Sequence, residues 1–284
     1  MQDASGSAAQ FTEPETLAFD AAGNLYVADT GNQAIRKISA AKAVTTVAGT
    51  GQTGALDNAD GKQATFNGPR GLCVATDGTI FVADTTNHCI RKITAAGAVS
   101  LFAGKAGTSG HVNGNGAAAR FNEPTGVAID TDGTLFVADT ANNIIRKITA
   151  TGDVTDLCGN DTGNPIAVDG QGAAAVLRGP LNLLVDASHV VWWVEGTGGT
   201  VRKSLADGTV STIASGFSQP RTICSDGGGY FLVADFFNRK VKRVTPAGVV
   251  TEVKGVPLVG MAVRDNKIYG IAQGENYVKT FTLP

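Results

Sequence analysis

The sequence predicts an all-β protein, a six-bladed β-propeller of four-stranded antiparallel blades whose last blade is expected to hold only three strands. Three observations lead there. First, one segment recurs: an apolar run, Val-Ala-Asp-Thr, a spacer with Asn, then Ile-Arg-Lys-Ile, at 24–38, 79–93 and 134–148, and more loosely at 230–244. A worn copy reads Val191-Trp192-Trp193-Val194-Glu195 and then Val201-Arg202-Lys203, and a faint one Lys267-Ile268-Tyr269-Gly270-Ile271-Ala272 and then Tyr277-Val278-Lys279. Second, the anchors Asp29, Asp84, Asp139, Glu195, Asp235 and Ala272 stand 55, 55, 56, 40 and 37 residues apart, against roughly 40–45 for a four-stranded blade. Third, Gly, Asn and Asp turn signals separate short apolar runs throughout, and no long stripe of period 3.6 appears.

Each unit reads as four strands. Strand A follows a proline, as in Gly71-Leu72-Cys73-Val74 and Gly126-Val127-Ala128-Ile129. Gly23-Asn24, Asp77-Gly78 and Asp132-Gly133 turn the chain into strand B, because Gly and Asn tolerate positive φ. Strand C is Ile35-Arg36-Lys37-Ile38 and its copies, and a Gly turn such as Ala96-Gly97 leads to strand D, such as Val99-Ser100-Leu101-Phe102. The blades fall at about 12–50, 67–105, 122–159, 178–215, 218–254 and 256–284, in a single domain 1–284. The longer first steps come from insertions at 49–68, 104–123 and 159–179. Within them 62–66, 117–121 and 173–177 are the only helical candidates, each a single turn. Strand C of blade six is the last match, and 3–11 aligns with the insertion 58–66 rather than with a strand D. A three-stranded sixth blade follows, with 1–10 not paired along 277–283.

Composition excludes several classes. With 37 Gly in 284 residues, 17% charged residues and a net charge of −2, the chain has no bulk attraction for nucleic acid or anionic lipid. No apolar run approaches the ~18 residues of a membrane span, and the first residues lack the apolar core of a signal peptide. The four cysteines, Cys73, Cys89, Cys158 and Cys224, sit on strands with no metal-ligand spacing, so four free, small, buried thiols are expected. No metal or cofactor is expected, and a monomer is.

The 25-residue stretch Pro69-Arg70-Gly71-Leu72-Cys73 through Ala83-Asp84-Thr85, Asn87 and Ile90-Arg91-Lys92-Ile93 resembles an NHL repeat, and 14–38 and 124–148 match it too. The likeness extends over nearly the whole chain, with blade four degenerate and blade six weak. It implies a six-bladed propeller, agreeing with the count of units, and a binding platform. The inserted junctions resemble those of bacterial proteins of the envelope or exterior, which implies an extracytoplasmic location. Propeller lyases and lactonases share the architecture, so fold does not settle function. A lactonase-like ligand set would need inward Glu, Asn and Asp, for which Glu15 and Asn182 are the candidates.

Strand order places the A–B and C–D turns at one end of the ring and the B–C loops and D–A links at the other. The three insertions are expected to crowd this second, loop-rich face, which is therefore the expected binding face; the turn face, short and Gly-rich, is expected to carry no site. Residues present in every blade are expected to do structural work: the acids Asp29, Asp84, Asp139, Glu195 and Asp235 within loops, and Arg36, Arg91, Arg146 and Arg202 between blades. Asp3, Asn58, Asn113 and Asp169 fall in one register and suit capping or loop bonds; calcium on Asp57 and Asp60 is the sharper alternative, although the acids do not alternate as a calcium loop requires. His88, His111 and His189 are divided between the two ends, so they form no joint metal site.

Function is sought where blades differ. Strand A is innermost, so its first residues line the channel mouth. The residues flanking its proline include Glu13, Glu15, Arg70, Glu123, Thr125 and Arg221, proposed as the binding residues for an unknown protein or small ligand, with an anionic one among the candidates. The bland alternative is a hydrated mouth whose charges pair with one another. The competing function is a lyase or hydrolase acting at the same mouth.

Overall fold

The computed structural model describes residues 2–164, 166–272 and 274–283. Six antiparallel sheets stand in a ring with their A strands innermost, at Pro14–Phe19, Pro69–Val74, Pro124–Ile129, Pro180–Val185, Pro220–Ser225 and Leu258–Arg264. Each A strand touches the next, and Leu258–Arg264 touches Pro14–Phe19, which closes the circle. Within a blade the order is A, B, C, D, and blade six stops at strand C, Val278–Thr282. Blade one and blade six are joined by packing rather than by strand pairing: Leu17, Leu25 and Val27 share a core with Ala262 and Ile271, and Phe19 meets Tyr269 edge-on at 5.0 Å. Residues 4–5 pair with Ala43 and Val44 of blade one, not with blade six.

Strand B alternates nothing: Leu25–Asp29, Ile80–Asp84, Leu135–Asp139, Val191–Glu195 and Phe231–Asp235 are buried on both faces, because a blade is covered by its two neighbours. Trp192 and Trp193, both buried, lie in this core at the places that Tyr26 and Val27 take in blade one. Strand C pairs with strand D through a bulge at one fixed place, between Ile35 and Arg36, Ile90 and Arg91, Ile145 and Arg146, Val201 and Arg202, and Val241 and Lys242. The bulge raises the local twist and frees an extra strand-D residue.

The insertions lie only in part on the loop-rich face, where Gly54 and Gly110 accept from Asn87 and Asn142 of the B–C loops. Each leaves that face and runs down the outer edge of the blade that follows, where Gly114–Asn115 pairs with Asp153–Val154 and Gly170–Gln171 with Thr209–Val210. Asn58 bridges Val99 in the same place in blade two, and Ala4–Ser5 does so in blade one. The physical reason is the open edge of strand D, whose unpaired backbone groups the insertion satisfies. The single turns are 3₁₀ and start one residue earlier than expected, at Gly61–Gln63, Gly116–Ala118 and Gly172–Ala174. Further 3₁₀ turns close the B–C loops at Thr30–Asn32, Thr85–Asn87 and Thr140–Asn142.

Candidate functional site

The repeated residues build a latch in blades one to four. In blade three Arg146 Nη1 donates to Asp139 Oδ2 at 2.9 Å and to the Arg120 carbonyl at 3.0 Å, and Nη2 donates to the Val112 carbonyl at 3.1 Å and Asn113 Oδ1 at 2.7 Å. Arg36, Arg91 and Arg202 repeat this with Asp29 and Asp3, Asp84 and Asp57, and Glu195 and Asp169. The planar fork thus joins the acid of strand B to the insertion, which a point charge could not do. In blades one to three the guanidinium also lies 5.3, 5.2 and 5.1 Å from the rings of Phe11, Phe66 and Phe121. Blade two corrects the expected register, since the acid that meets Arg91 is Asp57 rather than Asn58. Asp57 Oδ2 also accepts from Leu101 N in strand D, and Asp60 Oδ1 from Lys62 N.

Two further parts of the latch have no obvious sequence signature. Burial pushes the Asp84 carboxyl up to about 6, against the pull of donors from Asn87, Asn67 N and Arg91, so it is still largely ionised at neutral pH. Asp29 and Asp139 move in the same direction for the same reason. The residue before strand C is left-handed in each of the first three blades, Gln33, His88 and Asn143. Its side chain accepts from the amide before the next blade's proline: Gln33 Oε1 from Gly68 N, His88 Nδ1 from Glu123 N, Asn143 Oδ1 from Gly179 N. Thr30, Thr85 and Thr140 donate to the carbonyls of Pro69, Pro124 and Pro180, each at 2.7 Å. His88 is therefore an interblade clasp. His111 meets Asp156 and His189 meets Asp130. Among the described residues no three His, Cys, Asp or Glu side chains converge as a metal-ligand set.

The mouth is assembled differently. Glu15, Arg70, Thr125, Leu181, Arg221 and Val259, the first strand-A residue beyond the proline or its counterpart in each of the six blades, all line one cavity of about 50 Å³ on the axis. Thr16, Asn182 and Thr222 line it one residue deeper. The other three blades have Gly71, Gly126 and Gly260 at that depth, where a Cβ would come within 2.2, 2.2 and 1.9 Å of the Thr125, Leu181 and Glu15 carbonyl oxygens. Neighbouring inner strands are thus in close backbone contact just below the mouth. Asn182 Oδ1 accepts from Thr222 Oγ1 and Ile223 N, and Thr125 Oγ1 meets Thr140 Oγ1 at 2.6 Å.

Of the six residues read from sequence, Glu15, Arg70, Thr125 and Arg221 are brought together here. Glu13 and Glu123 are not among the lining residues. They sit at the left-handed link position, φ 47° and 50°, which Gly68, Gly179 and Gln219 share, and their side chains are exposed. Arg221 lies 4.6 Å over the Phe236 ring. Among the described residues neither Arg70 nor Arg221 has an ionic partner, and Glu15 is the only carboxylate lining the cavity. The mouth therefore carries two guanidinium groups against one carboxylate.

The NHL repeat family matches the chain at 11–38, 66–93 and 121–148, the heart of blades one to three. Human NHL repeat-containing protein 2 is 39% identical over 92 residues, 31% of this chain and 13% of its own length. The Arabidopsis thaliana chloroplastic protein SUPPRESSOR OF QUENCHING 1 is 36% identical over 88 residues, 31% of this chain and 8% of its own. The chain thus spans about an eighth or less of these relatives. Among solved structures, a gluconolactonase from Xanthomonas campestris superposes with a TM-score of 0.71 at 14% identity, covering 97% of this chain and 87% of that one. Virginiamycin B lyase from Staphylococcus aureus superposes at 0.64 and 14%, covering 100% and 99%, and a nidogen/laminin complex at 0.67 and 14%, covering 89% and 88%. At such identities the likeness is one of fold, and it spans enzymes and a protein complex alike. The chain thus carries three matched NHL repeats within a six-bladed β-propeller.

Proposed function

We propose that the chain is a noncatalytic binding module whose mouth and loop-rich face take a ligand or protein segment through an anionic group. The observation that carries this is the pair Arg70 and Arg221, set in one ring with no ionic partner among the described residues, whereas the four latch arginines each engage an acid and a carbonyl through their Nη atoms. Arg suits carboxylate and phosphate because its donors match two oxygens at once. The small volume of about 50 Å³ favours an end-on group, such as a carboxylate or phosphate at the tip of a larger partner, over an engulfed molecule. A lyase or hydrolase at the same mouth is the competing reading, and the fold neighbours include both kinds of enzyme; there Glu15 is the acid–base candidate. Calorimetric titration with inorganic phosphate, citrate and an acidic tripeptide at low salt tests the proposal. Arg70→Ala and Arg221→Ala are each expected to weaken anion binding about tenfold, the loss of a charge-assisted bond. Anion affinities equal in wild type and both variants would overturn it.

A further inference from the structure

The mouth differs from side to side. In ring order its outermost lining residues read Glu15, Arg70, Thr125, Leu181, Arg221 and Val259. Blades two and five stand three places apart in a ring of six, so Arg70 and Arg221 reach the axis from opposite sides. Leu181 and Val259 flank Arg221, whereas Glu15 and Thr125 flank Arg70, so the mouth is apolar around one arginine and polar around the other. One residue deeper, Asn182 Oδ1 accepts twice, from Thr222 Oγ1 and Ile223 N, and Asn182 Nδ2 has no acceptor among the described residues. Two guanidinium groups and one carboxylate leave the lining one positive charge in excess, the complement of a monoanion.

Blade five also departs from its copies at the rim. In blades three, four and five the mouth residue rests on the first B–C loop residue of its own blade. Thr125 meets Thr140, a Cβ on Gly196 would come within 2.6 Å of Leu181 Cδ1, and Arg221 lies 4.6 Å over Phe236. Phe236 and Phe237 stand where Thr30-Gly31, Thr85-Thr86, Thr140-Ala141 and Gly196-Thr197 stand in the other blades. Phe236 is buried and gives up the bond that the three threonines donate to the next blade. Phe237 lies 5.5 Å from it, ring to ring, and its N–H donates to the Ser218 carbonyl in the link of its own blade at 3.1 Å. Its side chain is 61% exposed. Two contacts, of 4.6 and 5.5 Å, thus lead from Arg221 to a phenyl ring open to water on the apolar side of the mouth.

We propose that the mouth selects a monocarboxylate that bears an aromatic or large apolar group beside the acid, as the last residue of a polypeptide or a small aryl acid does. This rests on the anion binding proposed above for the mouth and names the class of anion. The carboxylate lies on the axis between Arg70 and Arg221, whose planar forks each match two oxygens, and accepts from Asn182 Nδ2. The apolar group lies on the side of Leu181 and Val259 and stacks on Phe237, as aromatic pairs do at ring separations of about 4.5–7 Å. Glu15 repels a second negative charge, so a phosphate monoester, at about −1.5 to −2, fits less well than a carboxylate.

Three probes are titrated into the full chain by calorimetry at low salt: N-acetyl-Gly-Gly-Phe, N-acetyl-Gly-Gly-Gly, and the C-terminal amide of the first. The phenylalanine peptide is expected to bind about tenfold more tightly than the glycine peptide, from partial burial of its ring. Its amide, which lacks the charge, is expected to bind about tenfold more weakly or less. Phe237→Ser, a change at an exposed side chain, should bring the first two affinities to within about twofold of each other. Hydrocinnamate holds its phenyl ring as many bonds from the acid as phenylalanine does. An affinity equal to that of the phenylalanine peptide assigns the mouth to small acids, a weaker one assigns it to polypeptide ends, and both agree with the proposal. Equal affinities of the phenylalanine and glycine peptides overturn it, as does an amide that binds as well as the acid or a phenylalanine preference untouched by Phe237→Ser. Inorganic phosphate separates that result from failure of the anion site itself. Phosphate binding that Arg221→Ala weakens leaves the anion site standing without a preference for an apolar acid; no binding of phosphate or of either peptide removes both.

Discussion

Replacing Arg146 by Met separates the two jobs of the latch. The side chain is fully buried, and its removal leaves Asp139, equally buried, with donors from Asn122 N and Asn142 but no counter-charge. Breaking a buried pair from one side costs about 3–5 kcal/mol. At roughly 2–4 °C per kcal/mol for a large domain, the midpoint should fall by about 6–20 °C. Arg146→Lys keeps a charge on Asp139 but loses the reach to Val112 O and Asn113, bonds of about 1–2 kcal/mol each, so the fall should be smaller. Blade five supplies the internal control: its link is short, and among the described residues no strand pairs with the outer edge of Val250–Lys254 and the ionic partner of Lys242 is Asp235, with Phe217 beneath it at 4.9 Å. Lys242→Arg should therefore add no stability. Scanning calorimetry gives the midpoints, and hydrogen exchange over 110–121 reports the insertion, which should lose protection in both blade-three variants. A midpoint shift under 2 °C for Arg146→Met, or equal shifts for Met and Lys, would refute the reasoning.

Three other outcomes are expected. The hydrogen bond and charge of Asp130 raise the His189 imidazole above its ordinary value; the folded state then holds the proton more tightly than the unfolded one, so this contact stabilises below about 6.5 and its contribution is lost as pH rises through the folded value. Denaturant midpoints at pH 5.5 and 8 should differ less in His189→Asn than in wild type, and an unchanged difference would contradict this. Burial pushes the thiols of Cys73, Cys158 and Cys224 up to about 12 and that of Cys89 further, and all four are free; a thiol reagent should react slowly with native protein and count four thiols after unfolding without reductant. Gly126→Ala puts a methyl group 2.2 Å from the Leu181 carbonyl between the inner strands of blades three and four; a loss of about 1–3 kcal/mol is expected from overpacking, and a denaturant midpoint at the wild-type value would show that the inner ring yields.

Much of this molecule is legible because it repeats. Asp29, Asp84 and Asp139 recur at one register, so their role as shared loop acceptors follows without coordinates, and the bare edge of blade six follows from counting strands. What stayed hidden depends on distant groups. Nothing local tells that the insertion at 104–123 belongs to the outer edge of blade three, because the pairing partner, Asp153, lies some 38 residues beyond Asn115. The clasp of Gln33, His88 and Asn143 was invisible because three residue types share only an acceptor atom. Glu13 and Glu123 fall outside the lining of the cavity, since proximity to the proline says nothing of the left-handed link on which they stand. Arg70 and Arg221 could be placed since strand A is innermost, but their lack of ionic partners could not.

The central claim is that repeated residues hold the ring while the blade-specific residues of the mouth bind. The double variant Arg70→Ala/Arg221→Ala, set beside Arg146→Lys, tests it in one pair of measurements: the thermal midpoint, and the affinity for phosphate or citrate by calorimetry. The account predicts that the double variant keeps the wild-type midpoint within about 2 °C, as changes away from buried networks do, and loses anion binding. Arg146→Lys should lower the midpoint and leave the affinity unchanged. A double variant that binds anions as wild type does, or that unfolds as early as the latch variant, would contradict the account.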